Sequence, residues 1–305
     1  MRLLMLVNPL AGRKRGGATA EKALALFRQH GLEVEMRTSG YAGHLIEIAQ
    51  KEVKGAWDGI IAVGGDGTLY EVVNGMMQGD AALPIPLGII PVGTGNSFSR
   101  DVPLDSVEHA ITVIAAGKSR KVDLGHCAAA DRDFYFINIL GFGFVADVAQ
   151  KASLYKRWGD LSYVIGVFII TRHLKSYPLT GEIDGRAYHG DNIFVEICNS
   201  RKTGGDMIMA PDAAIDDGRL DVVIMSRASR LRLLAALPKI FKGSHVHMKE
   251  IATFQAEKVH FAPAETRILT PDGEILGHTP ITVSVLPRHL TVFAPASDSA
   301  AVAQT

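Results

Sequence analysis

The sequence predicts two joined folds, an α/β N-terminal domain on a mostly parallel sheet and an all-β antiparallel sandwich after it. Up to residue 125, apolar strands alternate with amphipathic helices, the pattern of a parallel sheet covered on its faces. Glycine-and-hydroxyl loops directly follow two of those strands, GGDGT at 64–68 and GTGNS at 93–97. From residue 179 on, short runs are separated by turn signals such as DGR and PDG, as in a sandwich. The expected limits are 1–125 and 126–295, with 296–305 a small, polar, disordered tail.

A chain of 305 residues can bury two cores, and 47% hydrophobic with 21% charged residues is ordinary for a globular protein. Lys plus Arg equals Asp plus Glu at 32 each, so no net field recruits nucleic acid or an anionic membrane; a local basic patch stays open. Cys127 and Cys198 sit in or beside apolar runs without a CxxC, which reads as reduced core thiols in a cytoplasmic protein. The start, MRLLMLVNP, is too short for a signal peptide and reads as a buried strand. No stretch approaches the roughly 20 apolar residues of a membrane span. Any membrane contact is therefore expected to be peripheral.

Residues 3–7 form the first predicted strand. The loop 8–17 carries three glycines with Arg13, Lys14 and Arg15; it suits a polyphosphate at a sheet edge and equally an ordinary solvated loop. Ala20, Ala23, Leu24 and Phe27 mark a helical face that Gly31 ends. A strand over 32–37, a helix over 44–51 and a strand over 59–63 follow. Leu69, Val72, Val73 and Met76 then recur at helical spacing, so a helix starts near Thr68 with its first N–H groups at the mouth of the GGDG turn. Gly64, Gly65 and Gly67 admit close backbone approach, and such amides suit phosphate. Asp66 does not, unless a cation or a transferable proton mediates; a glycine turn with an Asp cap is the plainer alternative.

A strand over 86–91 opens into the second glycine loop, whose Thr94, Asn96 and Ser97 precede a helical turn with Arg100. The two loops would lie side by side at one sheet edge. Asp105 and Glu108 form a capping box for a helix burying Val107, Ala110, Ile111 and Ile114. A strand over 120–125 carries Asp123, either a strand-end turn residue or a metal ligand or orienting carboxylate. Residues 134–140 read as a strand and 145–155 as helical. The segment 161–171, flanked by Arg157, Trp158, Arg172, His173 and Lys175, reads as a buried helix or as the wall of a lipid site. Strands are predicted over 179–184, 193–198, 220–225, 258–261, 267–269, 281–286 and 290–293, with one helix from Ser229. Asp216 and Asp217 before Gly218 make a turn or hold a hard cation. From the residues alone, Asp272-Gly273 is a hairpin turn. No Ser/His/Asp triad or HExxH motif competes.

VNP at 7–9, VGGDGTLYEVVNG at 63–75, PVGTGNSFSRD at 91–101, VDLG at 122–125, NILGFGFVADV at 138–148, TGGDMIMAPDAAIDDGRLDV at 203–222 and DGE at 272–274 occur in this order. Together they resemble the diacylglycerol kinase catalytic domain family, which includes bacterial lipid kinases, sphingosine kinases and ceramide kinases. GGDG also occurs in NAD kinases and phosphofructokinases, which share the nucleotide-domain architecture, but their later motifs differ. The resemblance implies a phosphofructokinase- and NAD-kinase-like nucleotide domain, a β-sandwich, and an active site in the cleft between them. It implies ATP phosphates along Asn8, Pro9, Leu10, Ala11, Gly12, Thr38, Gly64, Gly65, Asp66, Gly67, Thr68, Leu69, Tyr70, Glu71, Gly93, Thr94 and Asn96. It further implies Asp66 and Asp123 in an Asp–Mg2+–water network, and a structural Mg2+ on Asp217 with the carbonyls of Ala214 and Arg219. Glu274 would be the catalytic base and Asp272 its orienting neighbour. Many members carry Asp after the Asn; this chain has Ser97, which supplies no charge.

The expected function is ATP- and Mg2+-dependent phosphorylation of a lipid hydroxyl at the membrane surface, on diacylglycerol or a related lipid alcohol. A sphingoid-base or ceramide acceptor is the alternative within that chemistry. A non-catalytic nucleotide- or lipid-binding protein is the alternative outside it. No nucleic-acid partner is expected, and a homodimer is left open.

Overall fold

The computed structural model describes residues 1–80, 85–93, 95–104, 106–153, 171–172 and 174–295. Thr94, Asp105, Arg157, Trp158, the core of the apolar segment, His173 and the tail lie outside the described residues. The chain divides into two compact units, Met1–Val122 with the chain from Arg288 onward, and Asp123–Pro287.

The first unit is α/β. Strands β1 (Arg2–Val7), β2 (Glu33–Thr38), β3 (Gly59–Gly64) and β4 (Leu87–Pro91) are all parallel, in the order β4-β3-β1-β2. β1 and β3 are buried almost throughout, which is why both read as continuous apolar runs. Helix α1 (Gly16–Gln29) buries Ala20, Ala23, Leu24 and Phe27 as its periodicity demands. α2 (His44–Glu52) and α3 (Asp66–Asp80) pack on each other, and Gly75 makes this possible: a Cβ there would meet the Ile46 carbonyl at 2.3 Å. α4 (Ser97–Asp101) is a single turn, and α5 (Val107–Ala115) packs against α1 and β4.

Two expectations are corrected here. The helix after GGDG begins at Asp66, not near Thr68, because the Gly65 carbonyl already accepts the Leu69 N–H at 3.0 Å. The cap of α5 is Ser106, whose hydroxyl accepts the His109 N–H; Glu108 pairs instead with Lys22.

The second unit is the antiparallel sandwich. Its first strands are β5 (Ser119–Ala129), which begins in the first unit, β6 (Asp133–Phe136) and β7 (Ile139–Gly143). Helix α6 (Phe144–Ser153) follows, then β8 (Tyr177–Ile183), β9 (Arg186–Cys198) and two short strands, β10 (Lys202–Thr203) and β11 (Met207–Ile208). β12 (Leu220–Ser226), helix α7 (Arg230–Ile240), β13 (Ile251–Ala256), β14 (Lys258–Pro263), β15 (Leu269–Pro271) and β16 (Ile281–Phe293) complete the order. The main path runs β13-β12-β9-β8-β14-β16, with β7 on the far half of β9 and β15 on β7. Ile139, Phe144, Val148, Phe194, Val223, Met225 and Leu233 form one apolar cluster between sheet and helices.

The predicted strand 134–140 is two strands, because three backbone N–H groups at its break turn to the Asp272 carboxylate instead of a ladder. The strands predicted over 281–286 and 290–293 are one, bent at Arg288, whose φ is 49°. β13 was not anticipated. All but its last residue are half-buried or exposed, so its apolar alternation is weak.

Candidate active site

Strand order 2-1-3-4 makes the gap between β1 and β3 the point where the connections reverse direction, and an open α/β sheet binds ligands at the carboxyl ends there. Val7, Thr38, Val63 and Ile90 stand in register near that edge. Asn8 crosses the gap: its N–H donates to the Val63 carbonyl at 3.2 Å, and its Nδ2 donates to Thr68 Oγ1 at 3.1 Å. Its Oδ1 accepts the Leu10 N–H at 3.0 Å, which bends the loop back on itself. Gly12, Arg13 and Lys14 are left-handed in succession, at φ of 57°, 61° and 69°. Gly12 has a second reason to be glycine, since a Cβ would meet the Val92 carbonyl at 2.1 Å.

The two glycine loops touch backbone to backbone: a Cβ on Gly93 would sit 2.7 Å from the Gly65 Cα. Gly64 leaves room for Thr68, whose Oγ1 would be 2.2 Å from a Cβ. Asp66 lies in the first turn of α3, where the helix dipole favours its charge. Its Oδ1 accepts the Ser97 N–H at 2.8 Å and its Oδ2 the Ser97 hydroxyl at 3.2 Å. Burial pushes the Asp66 carboxyl above its usual range, against the Ser97 and Phe98 hydrogen bonds and the Arg100 charge, which pull it down. Ser97 therefore supplies hydrogen bonds to Asp66 where an Asp would have supplied like charge. Asn96, left-handed at φ 50°, turns its Nδ2 to the Gly93 carbonyl at 2.7 Å and closes the second loop.

Not every predicted nucleotide residue presents a side chain at this edge. Leu69 and Tyr70 are buried in the core, leaving only their backbone for such a role. Both Glu71 oxygens are taken by the N–H groups of Gly43 and Leu45, at 2.9 and 3.1 Å, so this carboxylate caps α2. Thr38 is exposed at the end of β2, with Pro9, Leu10 and Ala11 in the loop after β1.

In the second unit Asp123 is fully buried inside β5, which excludes the strand-end turn. Its Oδ2 accepts the Gly218 N–H at 2.6 Å and its own N–H donates to the Ile215 carbonyl at 2.6 Å, tying β5 to the AIDDG loop. Asn199 Nδ2 bridges the carbonyls of Asp123 and Ile137 at 3.1 and 2.8 Å, a buried support that its sequence context did not signal. Asp217 is exposed and accepts the Arg219 N–H at 2.9 Å, closing an Asx turn over Gly218, with Ala214 half-buried in the same loop.

Asp272 and Gly273 both have positive φ, 47° and 87°, and the Glu274 N–H donates to the Pro271 carbonyl at 2.8 Å. This is the hairpin turn read from the residues, of the mirror-image type that favours Asp-Gly. Asp272 is buried and accepts the N–H groups of Ile137, Asn138 and Ile139 at 2.8–3.1 Å, so it anchors the turn to the β6–β7 junction. Glu274 stands exposed on that anchored turn. The cysteines are buried and unpaired, and burial raises both thiols well above their usual range.

Residues 2–127 match the family described as Diacylglycerol kinase catalytic domain, and residues 138–294 that described as YegS C-terminal NAD kinase beta sandwich-like domain. The chain is similar to a diacylglycerol kinase of Mycobacterium tuberculosis, 30% identical with 95% of this chain and 94% of that one covered. It is also similar to a crystal structure of a candidate diacylglycerol kinase from Bacillus anthracis, 25% identical at a TM-score of 0.81, with 97% and 96% covered. An NAD kinase of Archaeoglobus fulgidus, crystallised with ATP, shares the fold alone, at 13% identity and a TM-score of 0.51 over 96% and 93% of the chains.

Proposed function

The chain belongs to the diacylglycerol kinase catalytic domain family and is a kinase acting on an alcohol group; from that premise we propose that it transfers the γ-phosphoryl group of ATP, with Mg2+, to the hydroxyl of diacylglycerol or a related lipid alcohol. One observation carries the reading: Asn8, the Gly64–Gly67 turn, Thr68 and the second glycine loop gather at the β1/β3 edge, around the first N–H groups of α3. Those amides and glycines suit a polyphosphate.

Asp66 beside phosphate needs a cation, and the carboxylate and carbonyl oxygens of Asp66, Asp123, Asp217, Ala214 and Arg219 are the hard donors that Mg2+ prefers. Asp66 would meet the catalytic ion from the first unit, and in the second Asp217 with the two carbonyls would hold a structural one, with Asp123 part of the Asp–Mg2+–water network that the resemblance implies. When bound, Mg2+ neutralises charge on the transferring phosphoryl group. Glu274 would take the proton from the lipid hydroxyl, and Asp272 keeps the turn that carries it rigid through three backbone hydrogen bonds. Positioning supplies most of the rate in such in-line transfers. The acceptor puts the enzyme at the cytoplasmic membrane surface as a peripheral protein. Among the described residues no helix is long and apolar enough to cross a membrane.

Radiolabel from ATP is expected in diacylglycerol, within a micellar panel that includes monoacylglycerol, sphingosine, ceramide and phosphatidylglycerol, and only with Mg2+. Label confined to sphingosine or ceramide would change the acceptor. Absence of label in every lipid, with ATP binding intact, would leave a nucleotide-binding protein and overturn the proposal. Glu274→Gln should lower turnover about 10²–10⁴-fold, the usual share of a general base, with nucleotide affinity kept.

A further inference from the structure

We propose that the outer face of α7 and the residues just after it dock the enzyme onto an anionic membrane surface, an inference that rests on the lipid-kinase reading for its purpose. The chain as a whole is neutral, with 32 basic and 32 acidic residues. Between Arg227 and Glu250 the balance is different: Arg227, Arg230, Arg232, Lys239, Lys242 and Lys249 face a single acid, Glu250. All six cations are exposed, and Glu250 is taken up by Arg232 through two bonds of 2.9 and 2.8 Å. A local basic patch thus sits on a molecule with no net field.

Helical geometry sorts the same stretch into two faces. Leu233, Ala236 and Ile240 are buried, and Leu233 and Ile240 hold α7 to the apolar cluster of the second unit. At 100° per residue, Leu231, Ala235 and Pro238 fall within about 60° of one another on the opposite side. Phe241, at the helix end, widens that face by about 60° toward the flank of Arg230, and Arg232 and Lys239 lie on the other flank. Leu231 is 79% exposed and Phe241 56%, two of the five exposed large hydrophobic residues among those described. A single exposed Leu is unremarkable on any surface. An exposed apolar ridge on a docked helix, flanked by cations on both sides, is the layout of an interfacial helix, with side chains entering the acyl boundary and cations meeting headgroups. The charge selects an anionic lipid surface over a neutral one.

The test is partition of the full chain onto phosphatidylcholine vesicles with and without phosphatidylglycerol, in the absence of nucleotide and acceptor. Binding is expected only to the anionic vesicles and should weaken with salt. Each cation near such a surface is worth about five-fold in partition. The triple variant Arg230→Gln, Lys239→Gln, Lys242→Gln should therefore lose roughly a hundred-fold. Leu231→Ser with Phe241→Ser should also release the protein while leaving phosphorylation of a short-chain acceptor, dissolved as monomers, unchanged.

Vesicle binding that is equal in wild type and both variants would overturn the inference. So would absence of binding with self-association that the Leu231/Phe241 variant abolishes, which would give the face to a second copy of the chain. If no lipid is ever phosphorylated while vesicle binding still depends on these residues, the kinase reading fails and the docking face stands.

Discussion

Glu196 is a carboxyl that the apolar layer of the second unit should not contain. It lies on β9 between Phe194 and Cys198, both in the apolar cluster, and Gly141 makes room for it: a Cβ there would sit 2.5 Å from Glu196 Oε2. Burial alone pushes its pKa up to about 8. Below the unfolded value of 4.5 the group is protonated in both states and costs nothing. As the pH rises the unfolded chain ionises first, so stability falls across that window and levels off above about 8. Glu196→Gln should therefore stabilise the protein by about 3 kcal/mol at pH 7 and flatten the slope, as read by denaturant melts across pH. The Glu itself was plain to read; its burial was not, because a lone Glu in the apolar run FVEIC ordinarily marks the solvent side of a strand. Ser97 shows the same limit. Its hydrophilic context marked it as a loop donor, but only the approach of α4 to α3 made Asp66 its acceptor.

At the scale of elements, hydrophobic periodicity located β1, β3, β4, α1, α2, α3 and α5 to within a few residues, since each buries apolar side chains, whereas the helical stretch Ala11–Lys14, which buries none, reads in the sequence as part of the loop after β1. What periodicity could not locate were ends and breaks that distant groups decide. The break between β6 and β7 exists because Asp272, more than a hundred residues on, takes three N–H groups. The start of α2 likewise depends on α3: Gly43 at φ 87° precedes it, no side chain of its own caps it, and Glu71 accepts two N–H groups there. Glu71→Ala should cost about 1 kcal/mol, the usual value of a lost cap. Its mark would be faster amide exchange at 43–46, with Glu71→Gln intermediate because one acceptor oxygen survives. Protection unchanged in Glu71→Ala would mean that the packing of α2 on α3 alone holds that end.

For the whole molecule, the last strand changes what the chain's end is for. β16 starts in the sandwich, and from Arg288 it belongs to the first unit, where Val292 pairs with Leu87 of β4 in parallel. Phe293 is 2% exposed, and a Cβ on Gly59 would meet its ring at 2.7 Å, so this phenyl completes the core under β3. Phe293→Ala should cost about 3–5 kcal/mol by leaving a cavity. The loss should appear as weaker amide protection in β3 and β4, well before the sandwich strands respond. By itself the sequence determined the fold class, the order of the elements and the glycine turns, because burial periodicity and left-handed backbone are written locally. Only the tertiary structure decided which polar groups meet: Asp66 with Ser97, Asp123 with Gly218, Asp272 with residues 137–139, and the final strand with β4. Such pairings join residues 31 to 205 positions apart, and no local pattern encodes a partner that far along the chain.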